Sequence, residues 1–189
     1  MKRFVSLVVL AVVAVLSVPA LAADNYKVDP VHSSVIFRIK HANTAYFWGR
    51  FNDPAGSFAL DEADPSRSTF TIDLQAAKVD TGNAQRDNHL RSPDFFNAKQ
   101  YPAITFKSKS VKKLEDNKLE VTGDLTLHGQ TKPVTAAVEI TGKGEFPPGK
   151  HRAGIEATLN VKTTEFGMKG NPGLSDEVRI VVSLEAVKQ

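Results

Sequence analysis

The sequence predicts an all-β protein of eight antiparallel strands, closed as a barrel or folded as a two-sheet sandwich, with a short helical insert between the third and fourth strands. Three observations predict it. Apolar and polar residues alternate with period two through most of the chain, the pattern of half-buried strands. Turn-forming groups fall between the alternating runs: Asp64-Pro65, Asp116-Asn117, Pro147-Pro148-Gly149 and Asn171-Pro172-Gly173. One long polar interruption, residues 79–102 (VDTGNAQRDNHLRSPDFFNAKQYP), breaks the alternation.

The chain opens on a different kind of segment. Lys2 and Arg3 precede an apolar run over residues 4–18, and Ala20-Leu21-Ala22 supplies small residues for a signal peptidase. The run is shorter than the ~20 residues a spanning helix needs. Residues 1–22 are therefore expected to be a cleaved signal peptide and residues 23–189 a single domain, with no stable membrane insertion. The chain holds 24 Lys and Arg against 21 Asp and Glu; without Lys2 and Arg3 this becomes 22 against 21, a net charge of +1. That balance, with no evident concentration of basic and aromatic residues, argues against a nucleic-acid partner. The absence of cysteine rules out disulfides and thiol chemistry. Export without cysteine points to the periplasm.

The first strand is expected over 31–41, where Val35, Phe37 and Ile39 oppose Ile36, Arg38 and Lys40. The second runs over 46–60, with Gly49 and Gly56 as bends or bulges. In the third, Phe70, Ile72 and Leu74 share one face. The insert follows, with a helix expected over 83–91 and Asp80 and Thr81 able to cap it. Ile104 and Phe106 mark the fourth strand; Leu119, Val121, Leu125 and Leu127 mark the fifth. His128-Gly129-Gln130-Thr131 reads as a tight turn, with His128 bonded to backbone, into Val134, Ala136, Val138 and Ile140. The seventh strand carries Ile155, Ala157, Leu159 and Val161, and the eighth Val178, Ile180, Val182 and Leu184.

The inner face mixes Phe37, Phe51, Phe58, Phe70 and Phe106 with Ser33, Ser108, Ser110, Gly123, Ala136, Ala153 and Ala157. A solid core fills its volume with large residues, so the mixture reads as a tube left open for a long, thin apolar ligand. The alternative is that small residues merely accommodate barrel taper. In the insert, Arg86 and His89, and Asp87 and Arg91, lie at helical spacing. They form either a polar cluster at a barrel mouth or a capping helix with an Asp87–Arg91 ion pair and Leu90 closing the core. The sequence carries no zinc spacing such as HExxH, no GxSxG elbow and no phosphate loop. No metal, no cofactor and no catalytic residue is expected, and Asp61, Glu62 and Asp64 read as a solvated turn.

Several segments in order carry a family likeness: His32 with Phe37-Arg38-Ile39-Lys40-His41, Gly49-Arg50-Phe51 with Gly56-Ser57-Phe58, and Val79-Asp80-Thr81. Further on stand Arg86-Asp87-Asn88-His89-Leu90-Arg91-Ser92, Asp94-Phe95-Phe96, Tyr101-Pro102-Ala103-Ile104-Thr105-Phe106 and Gly123-Asp124-Leu125-Thr126-Leu127-His128-Gly129. Together they resemble the YceI-like family of bacterial periplasmic proteins, which are similar in fold to lipocalins and bind polyisoprenoids. The resemblance implies a lipocalin-like barrel around a long isoprenoid or similar amphiphilic lipid, such as a quinone precursor or lipid amide, held for storage or transport. It implies no catalysis.

Strand parity then assigns the tail lining to Phe37, Ile39, Phe51, Phe58, Ile72, Leu74, Phe106, Leu125, Leu127, Leu159 and Ile180. Arg86, His89 and Arg91, with His41, are the head-group candidates. Two other readings remain: an enzyme acting on a lipid with His89 or His41 as general base, and a solid-cored interaction module. Ile36 and Val181 read as exposed apolar positions that leave room for a homodimer.

Overall fold

The computed structural model describes residues 23–189, so the expected signal peptide lies outside the described residues. The strands are β1 (Asp24–Val28), β2 (Ser34–His41), β3 (Ala45–Phe51), β4 (Ala55–Leu60), β5 (Thr69–Gln75) and β6 (Val79–Asp80). The helix α1 (Ala84–Arg91) follows, then β7 (Ala103–Glu115), β8 (Lys118–Leu127), β9 (Gln130–Glu145), β10 (His151–Lys162) and β11 (Leu174–Lys188). All pair antiparallel in one sheet. Three pairs of segments, β1 with β2, β3 with β4 and β5 with β6, are each one strand interrupted by a kink or a short 3-10 turn. Counted so, eight strands form a closed barrel, because β3 pairs with β2 while its continuation β4 pairs with β5. Closure removes the open edges that invite aggregation.

The kinks have local causes. The second predicted strand breaks after Phe51, where Asp53 sits at φ +56° and Pro54 has no N–H for a ladder. Gly49, expected as a bend, is instead regular strand. Before β2, Asp29 caps a 3-10 turn (Pro30–His32) by accepting from the Val31 N–H at 3.0 Å. The segment β1 was too short to announce itself, although Tyr26 and Val28 alternate inward as β-residues do. Between β8 and β9, His128 and Gly129 both adopt positive φ (+51° and +73°), a two-residue turn matched to the twist of a hairpin. The His128 Nδ1 stands 3.2 Å from the Phe166 carbonyl oxygen.

The barrel is plugged at one end. Tyr26 stacks on Phe58 (5.3 Å between centroids), which in turn meets Phe70 at 6.1 Å. Val111, Leu119, Ile155, Ala153, Leu184 and Ala186 complete this cluster. Val111 reaches it because β7 shifts register between Ser108 and Ser110. That bulge turns Ser110 outward, correcting its inward assignment. The Ser108 hydroxyl accepts from the Phe70 N–H at 2.9 Å. Asp61, expected to be solvated, is only 4% exposed; it accepts from the Asp64 N–H at 2.8 Å and pairs with Arg67.

Outside the plugged end, Arg152 donates to both Asp29 (3.1 Å) and Glu185. The His32 hydrogen bond, with that from Arg152, lowers the Asp29 carboxyl from 3.8 to about 2. A depressed carboxyl stabilises the fold above its ordinary range and loses that contribution as pH falls through the folded value. The extra stability of wild type over Asp29→Asn should thus be present above about pH 4 and be lost as pH falls through about 2. Urea melts across that range check it; a difference independent of pH would refute the assignment.

Candidate functional site

Above the plug the barrel opens into a cavity of about 950 Å³. Its floor is made by Phe70, Val121, Val138 and Ile155, and Ala136 and Ala157 form part of its wall. Phe37, Ile39, Phe51, Ile72, Leu74, Phe106, Leu125, Leu127, Leu159 and Ile180 all face it. Phe58 does not. Its parity is inward, but it lies at the plugged end, 2% exposed between Tyr26 and Phe70. Parity reports the face of a strand and is silent about depth along the barrel.

Small inner residues play two parts. Ala136 and Ala157 leave room, as the open-tube reading expects. The two glycines do not. A Cβ at Gly49 would lie 2.3 Å from the Phe37 ring, and one at Gly123 would lie 2.6 Å from the Phe106 ring. Each glycine is a seat for an aromatic ring of the neighbouring strand, so the rings lie against the wall and the lumen stays clear.

Three segments surround the mouth: the β2–β3 hairpin, α1 with the turn after it, and the β10–β11 connection. Asn83, rather than Asp80 or Thr81, caps α1 by accepting from the Arg86 N–H at 3.0 Å. Asp80 and Thr81 brace the approach. Asp80 accepts from Gly82 (2.9 Å) and Asn52 (3.1 Å), while Thr81 donates its N–H (2.9 Å) and hydroxyl to the buried Asp87.

Arg86 reaches the mouth by resting on Phe47, 4.1 Å from the ring centroid. Its Nε and Nη2 each donate to Thr81 at 2.8 Å, which uses two of its five N–H groups. His89 also lines the mouth, with Nε2 3.2 Å from Asp94 and its ring edge-on to Phe95. His41 stands at the end of β2 on the same rim.

Arg91 is the exception among the head-group candidates. It donates to the carbonyls of Ala77 and Val79 (2.8 Å each) and to Asn88 (3.1 Å), so it clamps α1 to the barrel and does not face the cavity. The Asp87–Arg91 ion pair of the capping-helix alternative does not form among the described residues, because Asp87 accepts from Thr81 and Arg91 donates to these other groups. Arg91→Met leaves two carbonyls without their donor and should cost about 1–3 kcal/mol in urea melts.

Several lining residues escaped the sequence reading. Phe47 shares the inward parity of Gly49 and Phe51 and was legible. Phe95, Phe96 and Met168 sit outside regular strands, where parity has no purchase. Asp176 also lies at the rim; its carboxyl is held below the usual range by the Thr164 hydroxyl (2.7 Å), aided by the Thr164 N–H and the Thr163 hydroxyl. All the charged and imidazole side chains of the lining, His41, Arg86, His89, Lys169 and Asp176, are at the mouth. Among the described residues the single cluster of metal-donor type, Asp29, His32 and Glu185, lies beyond the plug, with the Arg152 guanidinium on both carboxylates.

A plugged antiparallel barrel with a deep apolar chamber and a polar rim defines a lipocalin-like β-barrel. The chain belongs to the YceI-like family, whose domain model matches residues 26–186. It is 44% identical to Protein YceI of Escherichia coli O157:H7 over 173 residues, 90% of each chain. A UPF0312 protein of Pseudomonas aeruginosa is 43% identical, again over 90% of both. Among solved structures, Burkholderia cenocepacia BcnA superposes with a TM-score of 0.77 at 26% identity, covering 84% of this chain and 99% of that one. A polyisoprenoid binding domain from Saccharophagus degradans shares the fold with a TM-score of 0.67 at 16% identity, covering 87% and 98%.

Proposed function

We propose that the protein is a non-catalytic binding protein that holds one long-chain polyisoprenoid or similar amphiphilic lipid in its barrel, for storage or transport in the periplasm. The observation that carries this reading is the 950 Å³ cavity whose lining is apolar in depth and charged only at the rim. Its volume is at the upper end of the ~300–1,000 Å³ typical of ligand sites. Each CH₂ of a tail withdrawn into it contributes ~0.8 kcal/mol. A polar head keeps its hydration or partners by remaining at the rim beside Arg86, His89 and His41, where burial without a partner would cost ~1–3 kcal/mol. The S. degradans domain, named for polyisoprenoid binding, lends the same fold to such a ligand.

The test is uptake by delipidated protein of a fluorescent polyprenol in the presence of unlabelled competitor. Saturable binding of one ligand per chain, displaced by long but not by short prenols, is expected. Failure to bind any chain length would overturn the proposal.

A further inference from the structure

On the outer surface, β11, β2 and β3 assemble a face that the cavity does not explain. Register sets Arg179 opposite Arg38, and Arg38 opposite Trp48. The adjoining row sets Val181 opposite Ile36 and Ile36 opposite Arg50, and towards the mouth Lys40 stands opposite Tyr46. The Arg38 guanidinium lies 4.0 Å from the Tyr46 ring centroid and 5.8 Å from that of Trp48. Its Nε is buried without a hydrogen-bond partner. Tyr46 and Trp48 remain 55% and 47% exposed.

Like charges directly opposite on one sheet face are destabilising, and among the described residues no ion pair offsets this one. The other cross-strand neighbour of Arg179 is Asn160. Among the described residues Arg38, Lys40, Arg50 and Arg179 form no salt bridge. Arg50 is partly offset, because Asp80 stands directly opposite it and, after the hydrogen bonds from Gly82 and Asn52, the charge of Arg50 helps hold that carboxyl below its usual range. The Arg38–Arg179 pair, with no carboxylate across either strand and exposed aromatics beside it, is the arrangement expected where the missing anion belongs to a partner.

We infer that this face docks on the head groups of an anionic phospholipid bilayer and holds the cavity mouth against it. Guanidinium groups match phosphate oxygens in geometry and charge. Tyr and Trp, apolar in body and polar at the tip, settle at the boundary between head groups and acyl chains. Tyr46 lines the cavity mouth and also stands in this face, so docking sets the mouth at the lipid surface. The same chemistry could stack single-stranded nucleic acid; the continuity with an apolar chamber favours lipid. The fold here brings together what the sequence scatters between positions 38 and 50 and position 179, which corrects the reading that no basic and aromatic surface exists. Ile36 and Val181, expected to be exposed, are half-buried within it.

The inference rests on the carrier reading only for what the docked protein delivers; vesicles free of isoprenoid test the surface separately. Trp48 is the only tryptophan of the chain, so its emission reports this face alone. Residues 23–189 should co-sediment with vesicles of phosphatidylcholine containing one-third phosphatidylglycerol, with a blue-shifted emission that salt reverses. Pure phosphatidylcholine should give neither. The double variant Arg38→Gln/Arg179→Gln should lower partition at least about tenfold. The same charge change at Lys112 and Lys132, elsewhere on the barrel, should leave it within about twofold. Lys40→Gln/Arg50→Gln supplies a second pair on the face if the first does not fold. Equal partition to neutral and anionic vesicles, or equal loss in the Lys112/Lys132 control, overturns the inference. So does a Trp48 shift that follows protein concentration alone, which would mark a homodimer, or one that follows oligodeoxythymidylate rather than vesicles.

Discussion

Ala157→Phe is expected to weaken uptake of a long isoprenoid roughly 50-fold or more while leaving the barrel folded. Ala157 lies in β10 between Val138 and Val182 of the flanking strands, 8% exposed, and lines the cavity wall. A phenyl ring there takes the space of about three ligand CH₂ groups, which at ~0.8 kcal/mol each amounts to ~2.4 kcal/mol of lost burial. Overpacking a filled core costs ~1–3 kcal/mol, but here the ring enters open volume, so the stability penalty should be under about 1 kcal/mol. Binding isotherms and urea melts on the same variant separate the two effects. Unchanged uptake would mean the ligand is held elsewhere; lost stability with unchanged uptake would mean the wall is already filled.

Gly123→Leu should do the reverse, lowering stability by about 3 kcal/mol or more. A Cβ at this position would lie 2.4 Å from the Lys107 carbonyl oxygen as well as 2.6 Å from the Phe106 ring. The ring can swing aside into the cavity, but the carbonyl belongs to the β7 ladder and has nowhere to go. Gly49→Ala makes the informative contrast, because every close atom there belongs to the Phe37 ring. Its cost should be near 1 kcal/mol, with Phe37 displaced into the lumen and uptake reduced. Equal melting of Gly123→Leu and wild type would refute the ring-seat account.

How far these residues could be read from sequence depends on what period-two alternation encodes. Where a strand is regular, as with Val35, Phe37 and Ile39 or Val178, Ile180 and Val182, inward residues follow directly from parity. Where one residue is inserted, parity inverts, and Ser110 and Val111 exchange faces with no mark in the sequence. Depth is invisible as well: Phe58 and Phe51 both face inward, yet one seals the plug and the other lines the chamber. On α1, spacing placed Arg86, His89 and Arg91 on one short helix but not against what. The barrel decides, presenting Phe47 to Arg86 and the Ala77 and Val79 carbonyls to Arg91. Long-range pairing hides most. Nothing local in the sequence sets Arg38 beside Arg179.

The central claim is that the chamber is occupied by a lipid in life. Native mass spectrometry of protein purified without detergent from its own host tests it most directly. One adduct per chain with the mass of a long-chain isoprenoid or similar amphiphile, lost in Ala157→Phe, is the predicted result. Adduct-free spectra together with no uptake of added isoprenoid would contradict it.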